Sequence, residues 1–251
     1  MKTIILKLIT VIGRVYGIIP TVFSHAFLFG WILLESRAST PEKSLKRLFS
    51  LHDKLTLVIN ETAMRFGNGS HPKHELTNYH QFFINHIPEG AHVLDIGCGE
   101  GQVANSLAQY SGAALVTGID ISEKKIRIAQ STYQHPKLTF MQGDALKTLP
   151  SGKFDVVILS NVLEHIDQRV NFLISIMERI SPQLILIRVP AFERDWQVSL
   201  RKKLGIYYFS DKTHYIEHTN QEFHEEVAAS GLHIQHKQNI WGEIWAIAYP
   251  S

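Results

Sequence analysis

A chain of 251 residues has room for one α/β domain with additions, and 45% apolar content supports a substantial core, which excludes a disordered or fibrous protein. The formal charge of +2 is unevenly spread. Lys2, Lys7, Arg14, Arg37, Lys43, Lys46 and Arg47 open the chain against only Glu35 and Glu42, and no basic, aromatic-studded block of the nucleic-acid-binding kind follows. The single cysteine, Cys98, rules out an internal disulfide and accords with a reducing compartment.

Residues 1–34 contain no Asp or Glu, and Val15 to Leu34 is an apolar run whose polar members are Thr21, Ser24 and His25. Such a run is long enough to cross a bilayer, with basic residues on both sides that leave its orientation undecided. Pro20 after Gly17 allows a second arrangement, two shorter apolar helices meeting at a bend within one leaflet; a packed helical hairpin is a third. Residues 1–38 are therefore read as an apolar, membrane-associating helical segment, and residues 39–88 as a helical lid or linker. Ser39-Thr40-Pro41-Glu42 supplies a hydroxyl cap and a first-turn proline; Leu45, Leu48, Phe49, Leu55, Ile59 and Phe66 recur at helical spacing, and Gly67 ends the helix. In the turn-rich stretch after it, His71 and His74 stand three apart with no cysteine near. They are read as contacts to a cofactor or acceptor, with capping or metal ligation as alternatives.

From residue 91 strands and helices alternate. Strands are expected to end at Asp95, Ile119, Met141, Leu159 and Val189, with helices at about Gln102 to Tyr110, Ser122 to Tyr133 and Asp167 to Ile180. Near-continuous apolar strands alternating with helices imply a parallel sheet covered on both faces. After a helix over Asn220 to Ser230, two extended runs, His233 to Gln238 and Glu243 to Tyr249, end the chain. Between lies an insertion, about residues 190–219, carrying Arg194, Asp195, Trp196, Arg201, His214 and Tyr215. Loops after strand C-termini line the pocket in such folds, so acceptor specificity is expected here. Arg194 would pair with an acceptor phosphate or carboxylate, or internally with Asp195.

The stretch Val93-Leu94-Asp95-Ile96-Gly97-Cys98-Gly99-Glu100-Gly101 turns a strand sharply into a helix whose free N–H groups face a ligand. Its glycines run G-x-G-x-G, with Gln102 where a dinucleotide fingerprint requires glycine, which disfavours a nicotinamide oxidoreductase. Together with Gly118-Ile119-Asp120-Ile121, Gln142-Gly143-Asp144-Ala145 and Asn161-Val162-Leu163-Glu164-His165, this series resembles, in order and spacing, the class I S-adenosylmethionine-dependent methyltransferases, with flanking segments similar to methyltransferases of surface-polysaccharide clusters.

That resemblance implies a Rossmann-like doubly wound α/β fold over residues 89–251: a mostly parallel seven-stranded sheet with an antiparallel last strand, preceded by the N-terminal apolar helices. It implies S-adenosylmethionine as cofactor, held by Asp95, Gly97, Cys98, Gly99, Asp120, Ile121, Asp144, Ala145 and Asn161. Asp95 would take the cofactor's ammonium, Asp120 both ribose hydroxyls, Asp144 the adenine amino group and Ala145 the ring through its N–H. Turn or helix capping is the alternative for each acid, and Cys98 also reads as a packing residue. Methyl transfer to a hydroxyl needs a base, for which His165 and His214 compete; no metal is obligatory. The implied acceptor is a sugar or lipid-linked glycan hydroxyl at the cytoplasmic face of a membrane. The alternatives are a lipid or quinone acceptor, or a non-catalytic, membrane-anchored module that binds a partner.

Overall fold

The computed structural model describes residues 12–14, 16–69 and 71–251, which divide into two compact units, up to His71 and from Pro72 to Ser251. Much of the acid-free N-terminal stretch, residues 1–11 with Val15, lies outside the described residues.

In the first unit α1 (Thr21–Arg37) packs on α2 (Pro41–Phe66), and an Arg47–Glu35 ion pair ties the two helices. α2 begins as its sequence requires: the Thr40 hydroxyl accepts from the Lys43 N–H at 3.5 Å, Pro41 occupies the first turn, and Gly67 closes the last. The apolar run of α1 does not form the membrane-crossing helix its length suggested. Gly17 to Ile19 form a turn, Pro20 restarts the chain at Thr21, and no described helix is long and apolar enough to cross a membrane. Phe23, Phe27, Phe29, Trp31 and Leu34 are nevertheless exposed on α1.

The second unit opens with two short helices, α3 (Lys73–Thr77) and α4 (Tyr79–Asn85), separated by Asn78 in the left-handed region at φ 48°. It continues as β1 (His92–Ile96), α5 (Gln102–Tyr110), β2 (Leu115–Asp120), α6 (Glu123–Thr132), β3 (Leu138–Gln142), β4 (Val156–Ser160), α7 (Arg169–Arg179) and β5 (Leu184–Pro190). The remainder is α8 (Trp196–Lys203), α9 (Asn220–Ala229), β6 (Leu232–Ile240) and β7 (Glu243–Pro250). The seven strands stand in the order β3-β2-β1-β4-β5-β7-β6. β1 to β5 are mutually parallel, and β7 runs antiparallel to both β5 and β6. The last strand in sequence is thus not at the sheet's edge; β6, bulged between Ile234 and His236, takes that place.

The strands are apolar throughout because both faces are covered. In β4, Val157 and Leu159 point into the core that holds Phe172, Leu173 and Ile176 of α7 with Phe223 of α9. Val156 and Ile158 point into the opposite core with Phe83 of α4, Leu107 of α5 and Ile126 of α6. Each such buried side chain contributes on the order of 1.5–3 kcal/mol, and together they fix the strand register that brings the strand C-termini to one rim.

Candidate active site

Asp95, the penultimate residue of β1, and Asp120, the last of β2, stand on adjacent strands at that rim. The chain leaving β1 is folded back on β2, with the N–H groups of Gly97 and Cys98 both donating to the Ile119 carbonyl at 2.8 and 3.0 Å. The Gly99 N–H then donates to Asp120 Oδ2 at 3.0 Å, while Oδ1 accepts from Ser122 N at 2.8 Å. Asp120 therefore holds the glycine loop and its own turn with one lone pair of each oxygen, and a second remains on each. Capping of α6 falls to Ser122, which accepts from Lys125 N at 3.4 Å.

The glycines divide the work. A Cβ on Gly101, at φ +85°, would lie 2.4 Å from the Phe140 ring, so this glycine is required by packing. Gly99, at φ +57°, has open space where its Cβ would be, so there the backbone itself faces the cavity. Cys98 is buried beneath the loop, close to Gly118 and Phe140, and burial pushes its thiol far above the ordinary range.

Two cavities meet at Gly97 and Asn161. The larger, about 440 Å³, is an apolar slot between Ile96, Ile121, Leu146, Val162 and Phe172, with Asp120, Asp144, Ala145, His165 and Thr213 on its walls. The smaller, about 220 Å³, is polar, with Asp95, Gly97, Cys98 and Gly99 against Lys73, His74, Tyr79 and Arg188. All nine residues assigned to the cofactor thus line one or the other. His74 stands on the wall of the smaller cavity, its Nδ1 3.1 Å from the Tyr79 hydroxyl.

The cavities call for a particular ligand. Asp95 is 1% exposed, its Oδ2 meets no donor among the described residues, and burial pushes its carboxyl up to about 8. A cation delivered there would relieve a costly group. Asn161, at φ 56°, likewise buries an unpartnered Oδ1 between the two cavities. A molecule with an ammonium at one end, vicinal hydroxyls opposite Asp120 and a flat ring for the slot fits this series. Asp144 is more committed: it accepts from Leu146 N at 3.1 Å and pairs with Lys147 at 3.0 Å, so a contact to such a ring competes with an existing turn.

The two histidines meet. The rings of His165 and His214 stand edge to face with centroids 4.7 Å apart. Thr213 Oγ1 donates its proton to Asp211 Oδ1 at 2.6 Å, so its 2.9 Å contact with His165 Nδ1 has the imidazole N–H as donor. His214 Nδ1 lies 3.1 Å from Oε1 of the fully buried Glu217, a carboxylate held low by hydrogen bonds from His214 and Ser210 despite its burial. With Nδ1 engaged in both rings, Nε2 is the nitrogen left for another partner. Burial and the neighbouring His214 hold His165 below the ordinary imidazole range.

Arg194 does not reach toward an acceptor. It pairs with Glu217 and donates to the carbonyls of Ala191 at 2.9 Å and Tyr208 at 3.0 Å, so it braces the insertion from within. Asp195 is instead the N-cap of α8, accepting from Gln197 N at 2.9 Å. Sequence reasoning overlooked Arg188, 6% exposed at the floor of the smaller cavity. It is clamped by both oxygens of Glu243 at 2.6 Å and lies 3.8 Å from the Tyr79 ring centroid. One charge inside Leu184-Ile185-Leu186-Ile187-Arg188-Val189 was the available signal. Glu164, also overlooked, is wholly buried.

Comparison with known proteins gives a consistent answer. Residues 93–183 match the family described as methyltransferase domain. The chain is 38% identical over 102 residues to a ubiquinone biosynthesis O-methyltransferase of Albidiferax ferrireducens, a match covering 38% of this chain and 40% of that protein's length. It is 26% identical over 208 residues to a ribosomal protein L11 methyltransferase of Thermotoga neapolitana, covering 71% and 76%. In fold it resembles magnesium protoporphyrin IX methyltransferase from Synechocystis PCC 6803, crystallised with SAH, at a TM-score of 0.55 and 22% identity over 76% of this chain and 86% of that one. The stretch matched by the family begins in β1 and contains Asp95, the glycine loop, Asp120, Asp144 and His165. Residues 93–183 are therefore a methyltransferase domain of the S-adenosylmethionine-dependent kind.

Proposed function

We propose that the chain transfers a methyl group to a hydroxyl of a small, lipid-soluble ring compound of the catechol or hydroxyquinone class. S-adenosylmethionine would supply a methyl carbon activated by its sulfonium, open to in-line attack by an oxygen lone pair with the thioether as leaving group. The chain's part is to bind, align and deprotonate. Asp95 and Asp120 hold the cofactor's ammonium and ribose hydroxyls, Asp144 and Ala145 face its adenine, and the apolar slot excludes water. The observation that carries the reading is the His165–His214 pair: His165 lines the larger cavity, His214 packs edge to face against it with centroids 4.7 Å apart, and an oxygen engages Nδ1 of each ring, which leaves Nε2 of His165 to take a proton. A hydroxyl needs such a group.

The ubiquinone relatives support a ring hydroxyl, with the match confined to about two fifths of the first one's length. The exposed aromatic and aliphatic side chains of α1, with Arg14 and Arg37 close by in sequence, support contact of the N-terminal unit with a membrane surface on the cytoplasmic side, where a lipid-soluble acceptor partitions. A glycan hydroxyl remains the second acceptor to test, on the sequence resemblance alone.

Purified full-length protein should methylate a polyprenylated catechol in vesicles, and co-sediment with them, when given labelled cofactor. His165→Ala should lower turnover about a hundredfold or more with little change in affinity for S-adenosylhomocysteine. Label recovered only in glycan or only in protein would sink the acceptor assignment, and equal modest losses of affinity and turnover would reduce His165 to a wall.

A further inference from the structure

We propose that Glu164, His165 and His214 form a binding site for one divalent transition cation of the Zn2+ class at the wall of the cofactor cavity. The three residues bring one ligand atom each to within 4.8 Å of one another, although His214 is 49 positions beyond His165 in sequence. Both oxygens of Glu164 are buried and meet no hydrogen-bond donor among the described residues, an expensive arrangement for a carboxyl unless a ligand completes it.

The surroundings have the form of a metal site's outer shell. His165 Nδ1–H is held by Thr213, itself fixed by Asp211, and His214 Nδ1–H is held by the Glu217 carboxylate. Each ring is thus oriented and tautomerically fixed to offer Nε2, as metal-ligating histidines are. Two imidazoles and one carboxylate suit Zn2+ or a similar first-row ion; Mg2+ and Ca2+ favour all-oxygen sets. Three protein ligands leave a coordination position free, and His165 and Thr213 border the cavity from which an acceptor oxygen can fill it.

The role, though not the site, rests on the acceptor reading above. With the cation in place His165 and His214 are ligands. The acceptor hydroxyl binds the metal, its proton passes to water, and the oxygen forms its bond to the methyl carbon as the carbon–sulfur bond breaks.

Full-length protein stripped with a chelator and titrated with ZnCl2 in a calorimeter should take up one ion per chain, and MgCl2 should give no saturable heat. Glu164→Gln, nearly isosteric and neutral, and His214→Ala should each weaken Zn2+ at least about a hundredfold with S-adenosylhomocysteine binding retained; Thr213→Val should weaken it about tenfold. The chain holds 14 histidines, so equal Zn2+ uptake by wild type and both ligand variants would mean adventitious binding and overturn the proposal. So would absence of Zn2+ heat in a chain that binds S-adenosylhomocysteine. Zn2+ uptake in a chain that methylates no ring hydroxyl would leave the site standing and remove the acceptor reading.

Discussion

Asp95 should make cofactor binding dependent on pH in a way that can be calculated. Its buried carboxyl, lifted chiefly by burial to about 8, is mostly protonated at pH 7, whereas the partner it would take is an ammonium that requires the carboxylate. Ionising it at pH 7 costs about 1.4 kcal/mol for the one unit between pH and pKa, and that cost shrinks as pH rises. Affinity for S-adenosylhomocysteine should therefore climb close to tenfold between pH 6 and 7, several-fold more to pH 8, and level off above it. Calorimetry in two buffers of different ionisation enthalpy should register nearly one proton released per cofactor bound at pH 7. Asp95→Asn should remove both the slope and the proton, and cost about 1.5–3 kcal/mol of affinity at pH 8 for the lost charged contact. Stability follows the same sign. A carboxyl raised in the folded state favours folding below its unfolded value of 3.8, and that contribution is lost as pH rises through about 8. Cofactor-free wild type should thus lose about 2 kcal/mol more than Asp95→Asn between pH 6 and 8, measured by urea unfolding. Affinity that stays flat from pH 6 to 8 in wild type would refute the reasoning, because the ammonium would then bind elsewhere.

Two further outcomes concern the scaffold. Gly101→Ala combines a positive φ with a Cβ at 2.4 Å from Phe140, and should destabilise the domain by about 1–3 kcal/mol or more in chemical denaturation; an unchanged midpoint would mean the ring moves aside freely. Glu226, gripped by Arg169 at 2.7 Å and His218 at 2.9 Å, has its carboxyl held at about 2 by these hydrogen bonds against the opposing effect of burial. A depressed carboxyl stabilises above its unfolded value of 4.5 and loses that stability as pH falls toward 2, so Glu226→Gln should remove roughly 3 kcal/mol at pH 7 and flatten the acid limb.

The strand and helix series from residue 91 was legible because its signals are local. A strand buried on both faces must be apolar along its length, a Thr-Pro pair must begin a helix, and three glycines after an acid must turn the chain. The displaced ends, Leu115 for Ala114 or Arg169 for Asp167, lie where fraying makes a boundary ill-defined. Of the alternatives open for the apolar run near the N-terminus, the membrane-crossing one rested on hydropathy averaged over a window, whereas Pro20, already readable as a bend, acts at one residue. For the site, sequence named Asp95, Asp120, Asp144 and the glycine loop because strand ends and turns carry them. What it could not supply was convergence. Arg194 looked free to meet an acceptor until the fold brought Glu217, 23 residues on, against it, and Asp195, its neighbour in sequence, turned out to cap a helix. His165 and His214 stood as competing candidates and Glu164 had no role until the insertion folded back and set His214 beside them, with Thr213 and Glu217 fixing both rings. Local chemistry determined where the chain turns and which acids stand at the rim. Only packing across the insertion, which follows from contacts between residues tens of positions apart, decided which charges are spent on one another and which remain for a ligand.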